Sequence, residues 1–462
     1  MNKRRINTGL AILVITIVLI SAIAAIASAS NWPQFQYDVA NTGNSPANAP
    51  DTKDIKWITE DIGAVTGSQA MIVGDQVFVY AKDKVYGIGR ETGTTIWNTS
   101  IPGDTQNLGS WASPAYNNST LFVSGGYNLT KINATTGVAI QEIAFPDGGY
   151  SCNGGPTVAN GMVLAGSGGS NYYAFDESNL NTMAWTYPLV LGTAVSTPAV
   201  ADDRVVFGGM QWSGPSNLYC VNKSENVSAS GTTDEQWTTL LTGGIGGSAS
   251  IDAVNNRVYV ATFTDYNNDT GLLYAVNFAT GAIVWNRTIT YSDSTPAISG
   301  DYIYVSGSVN APGVTYCFNQ TGVQQWTVPY GSGTVSPTIA DGMLFTGKIG
   351  TNWGAADGIY VYNATTGTSV WSYPHGGSSP SIAEEDNGDG MVVSIGNDGR
   401  VYAFRDKIIT GDANRNGEVT AADASTVLQM AVGSIPPNDE ADMNCDGRVT
   451  SLDALLILQT TT

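Results

Sequence analysis

A unit of 40 to 52 residues recurs along most of this chain, and this repetition limits the folds open to it more than any other feature. Each unit contains short runs of alternating apolar and polar residues, and four units end in the complete pattern T-G-x-x-x-W, as in Thr92-Gly93 to Trp97. A period of this length that holds four short strands is the size of a propeller blade. The sequence therefore predicts an all-β, eight-bladed β-propeller, with the large residue recurring at Trp57, Trp97, Gln141, Trp185, Trp237, Trp285, Trp326 and Trp371.

The two ends of the repeat region predict how the ring closes. The last unit, residues 379–405, has the inner strands but lacks a T-G-x-x-x-W strand after them. Conversely, the segment from Lys56 to Thr59 stands alone before the first unit and carries Trp57. We therefore expect the N-terminal strand to complete the last blade, which leaves no open sheet edge.

Composition agrees with many short strands and excludes one class of partner. The chain has 54 glycines, and 13% of its residues are charged, against roughly 25% in typical domains. Glycine-rich turns between short strands produce such a profile. The formal net charge of −20 predicts no nucleic-acid partner, because the chain has no basic stripe that would neutralise phosphates.

The first 29 residues are typical of an export signal. Residues 3–5 are basic, residues 10–26 form an apolar run, and residues 27–29 are small enough for cleavage. We predict a signal peptide at 1–29 and a secreted protein, extracellular or at the cell surface. An uncleaved membrane anchor is the alternative, because the apolar run is long for a signal. Glycosylation would agree with export, and N-x-S/T acceptors occur at Asn98, Asn117, Asn118, Asn128, Asn133, Asn222, Asn226, Asn268, Asn286, Asn319 and Asn363.

A twelve-residue pattern of oxygen-bearing side chains occurs twice near the C-terminus. The first copy runs from Asp412 to Asp423, and the second runs from Asp442 to Asp453. In such loops, side chains at positions 1, 3, 5 and 12 converge on a hard cation, position 7 offers its carbonyl, position 9 acts through water, and glycine at position 6 permits the turn. We predict two calcium ions, at Asp412, Asn414, Asn416, Glu418, Thr420 and Asp423, and at Asp442, Asn444, Asp446, Arg448, Thr450 and Asp453.

Apolar residues after each loop predict two short helices that share a buried face. Position 12 is Asp in both loops, and no helical pattern precedes Asp412. This order of loop, helix, linker, loop and helix resembles the type I dockerin. The resemblance implies a small all-α, calcium-binding domain with paired EF-hand-like loops over 411–462, after a short linker at 407–410. It also implies a cohesin module as partner, selected in that family by positions 10 and 11, which are Ala421, Ala422, Ser451 and Leu452.

The repeat unit, together with the opening segments 32–35 and 38–43, resembles the propellers of the pyrroloquinoline-quinone (PQQ) type. The resemblance implies one propeller domain over 30–406. That family contains quinoprotein dehydrogenases as well as non-enzymatic assembly and scaffold propellers, so it implies the fold more firmly than the activity. Its dehydrogenases often place an adjacent cysteine pair over the quinone. The sequence contains no Cys-Cys pair, and PQQ is not expected here.

Catalytic residues do not stand out in the sequence, and we predict none. His375 is the sole histidine and lies in a predicted turn, so we interpret it as a solvated residue. We interpret the acidic stretch as an enlarged hairpin turn; its carboxylates are Glu384, Glu385, Asp386 and Asp389. Three tryptophans outside the repeat position are either packing residues or part of a ligand-binding face: Trp111, Trp212 and Trp353. Two cysteines at equivalent repeat positions, Cys220 and Cys317, are interpreted as small buried residues.

Two functions stay open at this point. The first is a non-catalytic propeller that binds a polysaccharide or protein ligand and is docked onto a cohesin-bearing surface or a cellulosome-like complex. The second is an enzyme of polysaccharide catabolism or a PQQ-dependent dehydrogenase, with the activity carried by the propeller.

Overall fold

A computed structural model describes most of the chain: residues 30–65, 67–101, 112–150, 154–223, 234–310, 312–349, 356–385, 387–415 and 417–461. The predicted signal peptide and five residues named above lie outside this part, namely Trp111, Asn226, Trp353, Asp386 and Asn416. Two compact units are present, one over residues 28–408 and one that contains residues 409–462. Within the described ranges, no helix has the length and apolarity needed to span a membrane.

The larger unit confirms the predicted eight-bladed β-propeller. Its described residues form eight sheets, each with four antiparallel strands. From the innermost to the outermost strand, the blades are as follows: blade 1, Met71–Val73, Gln76–Ala81, Lys84–Gly89, Thr95–Ser100; blade 2, Ala115–Asn117, Thr120–Gly125, Asn128–Asn133, Ala139–Ala144; blade 3, Thr157–Ala159, Met162–Gly166, Asn171–Asp176, Met183–Pro188; blade 4, Ala199–Ala201, Arg204–Gly208, Ser216–Asn222, Glu235–Leu241; blade 5, Ser250–Asp252, Arg257–Asp265, Thr270–Asn277, Ile283–Ile289; blade 6, Ala297–Ser299, Tyr302–Gly307, Val314–Asn319, Gln324–Pro329; blade 7, Thr338–Ala340, Met343–Ile349, Ala356–Asn363, Ser369–Tyr373; and blade 8, Ser381–Glu384, Gly390–Ile395, Val401–Arg405, Asp54–Ile58.

The N-terminal strand closes the ring as predicted. Strand Asp54–Ile58 pairs antiparallel with Val401–Arg405 and forms the outer edge of blade 8, with Trp57 opposite Ala403. The acidic hairpin of blade 8 takes part in this closure, because Lys56 Nζ lies 2.6 Å from a carboxylate oxygen of Glu385. The predicted enlarged turn is therefore a turn that joins the two ends of the ring.

The hub segment, residues 30–45, crosses the inner edges of all eight blades and adds Asn44–Ser45 as a parallel strand beside blade 7. In two blades an innermost-strand N–H donates to a side chain of this segment, from Val158 to Gln34 and from Glu384 to Ser30. In the other six blades it donates to a backbone carbonyl: Ile72 to Trp32 (3.0 Å), Tyr116 to Pro33 (2.7 Å), Val200 to Val39 (2.6 Å), Ile251 to Ala40 (2.9 Å), Ile298 to Thr42 (2.8 Å) and Ile339 to Gly43 (2.7 Å). The segment thus satisfies N–H groups that a strand edge would otherwise leave unpaired.

The tryptophan of each repeat joins its blade to the next one. Its indole N–H donates to a backbone carbonyl across the junction, in the pairs Trp57–Arg90, Trp97–Ala134, Trp185–Lys223, Trp237–Phe278, Trp285–Gln320, Trp326–Thr365 and Trp371–Pro50. In blade 2, Gln141 replaces the tryptophan and its amide donates to Asn179 at 2.9 Å. The T-G pair also serves this junction, since a Cβ on Gly137 (φ 72°) would lie 2.5 Å from the ring of Trp97.

The residue opposite the tryptophan is Gly, Ala or Cys in six blades for the same reason, and it is Val361 opposite Trp371. A Cβ on Gly87 would lie 2.3 Å from the indole of Trp97. Cys220 and Cys317 occupy this position opposite Trp237 and Trp326, and both are free and buried. Burial raises the pKa of both thiols to about 12, so they behave as small apolar residues, as predicted.

The C-terminal unit contains the two predicted helices, Ala421–Ala431 and Ser451–Thr460, and a short 3-10 helix, Asp439–Ala441. Each α-helix begins with a capping box: Thr420 with Asp423, and Thr450 with Asp453. The helices pack through a shared apolar face that includes Val427. That cluster contains seven buried residues, and such a small core leaves little stability to spare without further support.

We predict that Trp285→Ala destabilises the propeller by about 3–5 kcal/mol, because the change leaves a cavity at a blade junction and removes the bond to Gln320. Urea unfolding followed by circular dichroism measures this loss. The matched control is Trp212→Ala, whose side chain is 72% exposed and whose removal should change stability by less than about 0.5 kcal/mol. Equal unfolding midpoints for the two variants would contradict the junction role.

Candidate functional site

A cavity of about 570 Å³ opens where the connections between blades meet. Phe35 of the hub segment lines it together with residues from the connections that lead into the inner strands. Its volume lies within the range of roughly 300–1,000 Å³ for small-molecule sites. It is therefore the candidate functional site of the propeller.

Six hydroxyl groups form a ring around this cavity. Each lies two residues before an innermost strand, and each accepts a hydrogen bond at 2.8–3.0 Å from the backbone N–H of the equivalent residue in the preceding blade. They are at most 4% exposed and line the cavity. The members of this hydroxyl ring are Ser113, Thr197, Ser248, Thr295, Ser336 and Ser379.

Each hydroxyl of the ring accepts one hydrogen bond from the protein and donates none to the described residues. A hydroxyl donates one hydrogen bond and accepts up to two. None of the six hydroxyls donates to an acceptor within the described ranges. In blades 1 and 3 the equivalent residues are Gln69 and Gly155, which carry no hydroxyl. The cavity therefore offers six O–H donors.

Asp293 is the charged residue on the cavity wall. Its Oδ2 accepts a hydrogen bond from the Tyr291 hydroxyl at 2.9 Å, whereas Oδ1 is buried and has no partner in the described part of the chain. A Cβ on Gly246 would lie 2.2 Å from Oδ1, so the glycine leaves room for the carboxylate. Burial raises the pKa of Asp293 to about 7, because the enclosed site disfavours the charged form.

Aromatic side chains from blades 4 and 5 extend from the cavity to the surface. Phe263 stacks on Tyr291 with 5.0 Å between ring centroids, and Tyr266 meets Tyr291 edge-on at 5.7 Å. Trp212 lies 6.3 Å from Phe263 and is 72% exposed. These four aromatic residues line a second hollow of about 230 Å³. Trp212 therefore lies at the rim of both hollows.

The cavity does not fit pyrroloquinoline quinone. That cofactor carries three carboxylates, which would need cationic partners. No Lys or Arg lines the cavity among the described residues, and its one charged residue is the acidic Asp293. We therefore derive no chemistry through this cofactor.

The remaining candidates of the propeller lie away from this cavity. His375 is exposed, and its ring stacks on Tyr402 at 5.7 Å. Glu384 ends an inner strand of blade 8, and Asp389 lies in the hairpin that follows. Of the described carboxylates of the acidic stretch, Glu384 accepts from the Asn48 N–H and Glu385 pairs with Lys56, so these two contact the N-terminal segment that closes the ring.

The first C-terminal loop is organised around two buried carboxylates. Asp412 Oδ2 accepts from the Gly417 N–H at 2.7 Å, and Asp423 Oδ1 accepts from the Asn414 N–H at 2.9 Å. Asp423 Oδ2 also caps the helix through Thr420. Glu418 is exposed, and Asn416 lies outside the described residues.

The second loop repeats this arrangement. Asp442 Oδ2 accepts from the Gly447 N–H at 2.7 Å, and Asp453 Oδ2 accepts from Thr450. Its other polar positions, Asn444, Asp446 and Arg448, are exposed. The backbone is left-handed at positions 4 and 6 of both loops, which are Arg415, Gly417, Cys445 and Gly447.

The donor set of both loops is oxygen, which suits a hard cation such as calcium. Asp423 and Asp453 are fully buried, and Asp412 is 3% exposed. Buried carboxylates require a compensating charge or hydrogen bonds. Across the described residues, no three His, Cys, Asp or Glu side chains converge closely enough to form a metal site.

The predicted partner-binding positions all lie at the surface. Ala421 and Ala422 begin the first helix, and Ser451 and Leu452 begin the second; all four are exposed. The two helices differ beyond these positions. The second helix exposes a stripe of leucines, with Leu452 and Leu455 each 50% and Leu458 42% exposed.

Comparisons with known proteins match both units. The family model described as outer membrane protein assembly factor BamB, a PQQ-type repeat model, matches residues 43–140, 81–225, 223–328 and 269–433. The type I dockerin domain model matches residues 410–460. Both resemblances predicted from the sequence are thereby confirmed.

Solved structures with this fold include an enzyme and an assembly factor. A europium-containing methanol dehydrogenase is 14% identical, with a TM-score of 0.61 over 81% of this chain and 98% of its own. BamB from Moraxella catarrhalis is 15% identical, with a TM-score of 0.56 over 77% and 100%. At these identities the likeness shows the fold alone.

A curated relative is tetrathionate hydrolase from Acidithiobacillus ferrooxidans, which is 26% identical over 314 residues. The match covers 63% of this chain, and it spans half the length of that protein.

We predict that the propeller becomes less stable as the pH rises from about 4 to 7. Burial raises the pKa of Asp293 and that of Asp406 to about 7 each, above roughly 3.9 in an unfolded chain. The folded state therefore binds more protons across this window, and stability falls as they are released.

Urea midpoints measured by tryptophan fluorescence test this prediction, because all 11 tryptophans precede residue 372. Asp293→Asn should flatten the pH slope in part, whereas the exposed Asp301→Asn should leave it unchanged. A slope identical in all three proteins would contradict the assignment to Asp293.

Proposed function

The chain belongs to the PQQ-type propeller family described by BamB, and we propose that it is an exported, non-catalytic binding module that its C-terminal dockerin domain attaches to a cohesin-bearing assembly. A dockerin domain implies a cohesin module as partner. In this proposal the propeller binds the ligand, and the dockerin domain holds the protein at the assembly. Calcium at the two loops supports the fold of the dockerin.

The observation that carries this proposal is the exposed surface of the two α-helices. Positions 10 and 11 of both loops lie at helix N-termini and are solvent-accessible. On the second helix, Leu452, Leu455 and Leu458 continue this surface as an apolar stripe. Exposed leucines at such spacing mark a protein contact, because a soluble domain gains nothing by exposing them. We propose that this stripe is the cohesin-binding face.

The equivalent face of the first helix is different in chemistry. Residues 30 positions earlier are Ala422, Ser425 and Leu428, so two of the three leucines are replaced by small residues. Burying a leucine side chain removes more apolar area from water than burying Ala or Ser, and so contributes more to binding. The two faces are therefore not interchangeable, and we propose that the second helix binds.

The non-catalytic assignment of the propeller rests on its cavity. The described lining contains hydroxyls, aromatic rings and one carboxylate, without a paired base and nucleophile of the kind that acyl or glycosyl transfer needs. The curated relative is a hydrolase, which makes an enzyme the second candidate. Tetrathionate is an anion, however, and the described lining has no Lys or Arg to pair with it. If the propeller is an enzyme, we propose that it acts in polysaccharide catabolism and not on tetrathionate.

Calcium titration of the full chain tests the metal part of the proposal. We expect two sites by calorimetry, with the second loop filling first, because it has three ligand carboxylates against two in the first loop. Asp453→Ala should weaken the tighter site by at least about tenfold, the loss typical of a disturbed metal shell. Asp423→Ala should affect the weaker site.

Chelation should abolish the helical circular dichroism signal of residues 409–462 and leave the tryptophan fluorescence of the propeller unchanged. One calcium site or none, or helices that persist in chelator, would contradict the calcium assignment.

Binding of the full chain to a panel of cohesin modules tests the docking face. The double variant Leu452→Glu, Leu455→Glu should lose about a hundredfold in affinity for the cohesin that binds best, as expected for central interface residues. The matched control is Ala422→Glu, Ser425→Glu, at the same positions of the first helix, and it should stay within about threefold. If the first-helix variant lost affinity and the second-helix variant did not, the cohesin-binding face would lie on the first helix. If neither variant lost affinity, docking through the helices would be refuted.

A further inference from the structure

We propose that the propeller cavity binds the end of a neutral saccharide chain, with the hydroxyl ring as donors, Asp293 as acceptor and Trp212 as the stacking surface. This inference rests on the proposed binding function and specifies its ligand class. Three independent features of the cavity wall support it: its free donors, its free acceptor and its aromatic rim.

The donors are the first feature. The six hydroxyls of the ring are held in place by backbone N–H groups of neighbouring blades, so their oxygens are fixed while their protons point to no acceptor in the described part of the chain. A buried O–H that donates to no protein acceptor leaves one hydrogen bond to be made by a ligand or water. Several fixed donors around one cavity suit a ligand that carries many oxygen atoms.

The acceptor is the second feature. Asp293 Oδ1 is buried and unpartnered, and Asp293 lines the cavity. A sugar hydroxyl both donates and accepts, so one saccharide can meet the O–H donors of the ring and the free carboxylate oxygen together. An ionised phosphate or carboxylate ligand only accepts hydrogen bonds, so it could not donate to the free oxygen of Asp293. The described lining also has no lysine or arginine to pair with such a ligand.

The aromatic rim is the third feature. Trp212 exposes 72% of its surface and Tyr266 exposes 46%, although both belong to the aromatic cluster that contains Tyr291. Tyr291 connects this rim with the acceptor, since its hydroxyl donates to Asp293. An exposed aromatic face beside polar groups matches a pyranose ring, which is apolar on its faces and polar at its edge.

The position of the hub segment implies that a saccharide inserts one of its ends into the cavity and does not pass through the ring. Phe35 lies in the cavity wall, and the segment that carries it is bonded to the inner strands of all eight blades. A saccharide chain therefore cannot pass along the axis of the ring. Terminal sugar residues fit in the cavity of about 570 Å³, while the following ones leave over Trp212.

Calorimetry of the full chain with neutral oligosaccharides of two to six units, built from glucose, xylose, mannose or galactose, tests the proposal. Oligogalacturonate serves as the anionic probe and chitosan oligomers as the cationic probe. We expect at least one neutral series to bind. Trp212→Ala and Asp293→Asn should each weaken that binding about tenfold or more. The first removes the stacking ring, and the second puts an amide donor where the free acceptor was, because the amide oxygen takes the bond from Tyr291.

The matched controls lie on turns between the first and second strands of blades 5 and 6, at the opposite end of the ring. They are Val254→Ala, which is 95% exposed, and Asp301→Asn, and both should bind like the parent chain. Fluorescence unfolding confirms that each variant is folded.

Failure to bind any neutral oligosaccharide would overturn the inference, and so would exclusive binding of a charged probe. Binding that Trp212→Ala and Asp293→Asn leave unchanged would also overturn it. Cohesin capture, measured on the same preparations, distinguishes a failure of the saccharide inference from a failure of the docking function. A chain that captures cohesin but binds no saccharide refutes this inference alone, and a chain that binds saccharide without cohesin refutes the docking function alone.

Discussion

The hydrogen bonds between residues 30–45 and the innermost strands are the constraint on which the rest of the propeller depends. A ring of eight sheets has eight inner edges, and each edge would leave backbone N–H groups unpaired around a narrow axis. One short segment supplies an acceptor to every blade. The blades are therefore held at a common centre as well as at their outer junctions. The cavity exists because this segment occupies the axis and leaves the space on one side of it open.

Much of the fold could be predicted from the sequence, because its signals are local and repeated. The T-G-x-x-x-W pattern has a direct physical reason: the indole of Trp97 reaches the next blade, and the glycine at Gly137 gives it room. The closing strand was predictable because Trp57 lacked a repeat of its own. The two C-terminal loops and the helices after them were predictable by spacing, although the left-handed position 4, Arg415 and Cys445, has no residue signature.

The cavity could not be predicted in the same way. Its donors lie 40 or more residues apart in the sequence, and one Ser or Thr per repeat is an ordinary frequency. A usable signal was present, since a hydroxyl residue stands two positions before the inner strand in six of eight repeats. Asp293 gives no such signal. Its environment depends on Gly246, 47 residues earlier, and on Tyr291, so the fold must be known before its carboxylate stands out among the acidic residues.

The position of the hub segment also sets the order in which the molecule can form. Residues 30–45 are synthesised before every blade, yet their last partner, blade 8, is completed more than 330 residues later. Contacts of such sequence separation are slow to form, and a growing chain exposes unfinished inner edges until then. A partly made propeller has no stable hub, so the ring must assemble as a whole after the full repeat region has emerged. Release of the full repeat region from the ribosome then becomes the event that permits folding.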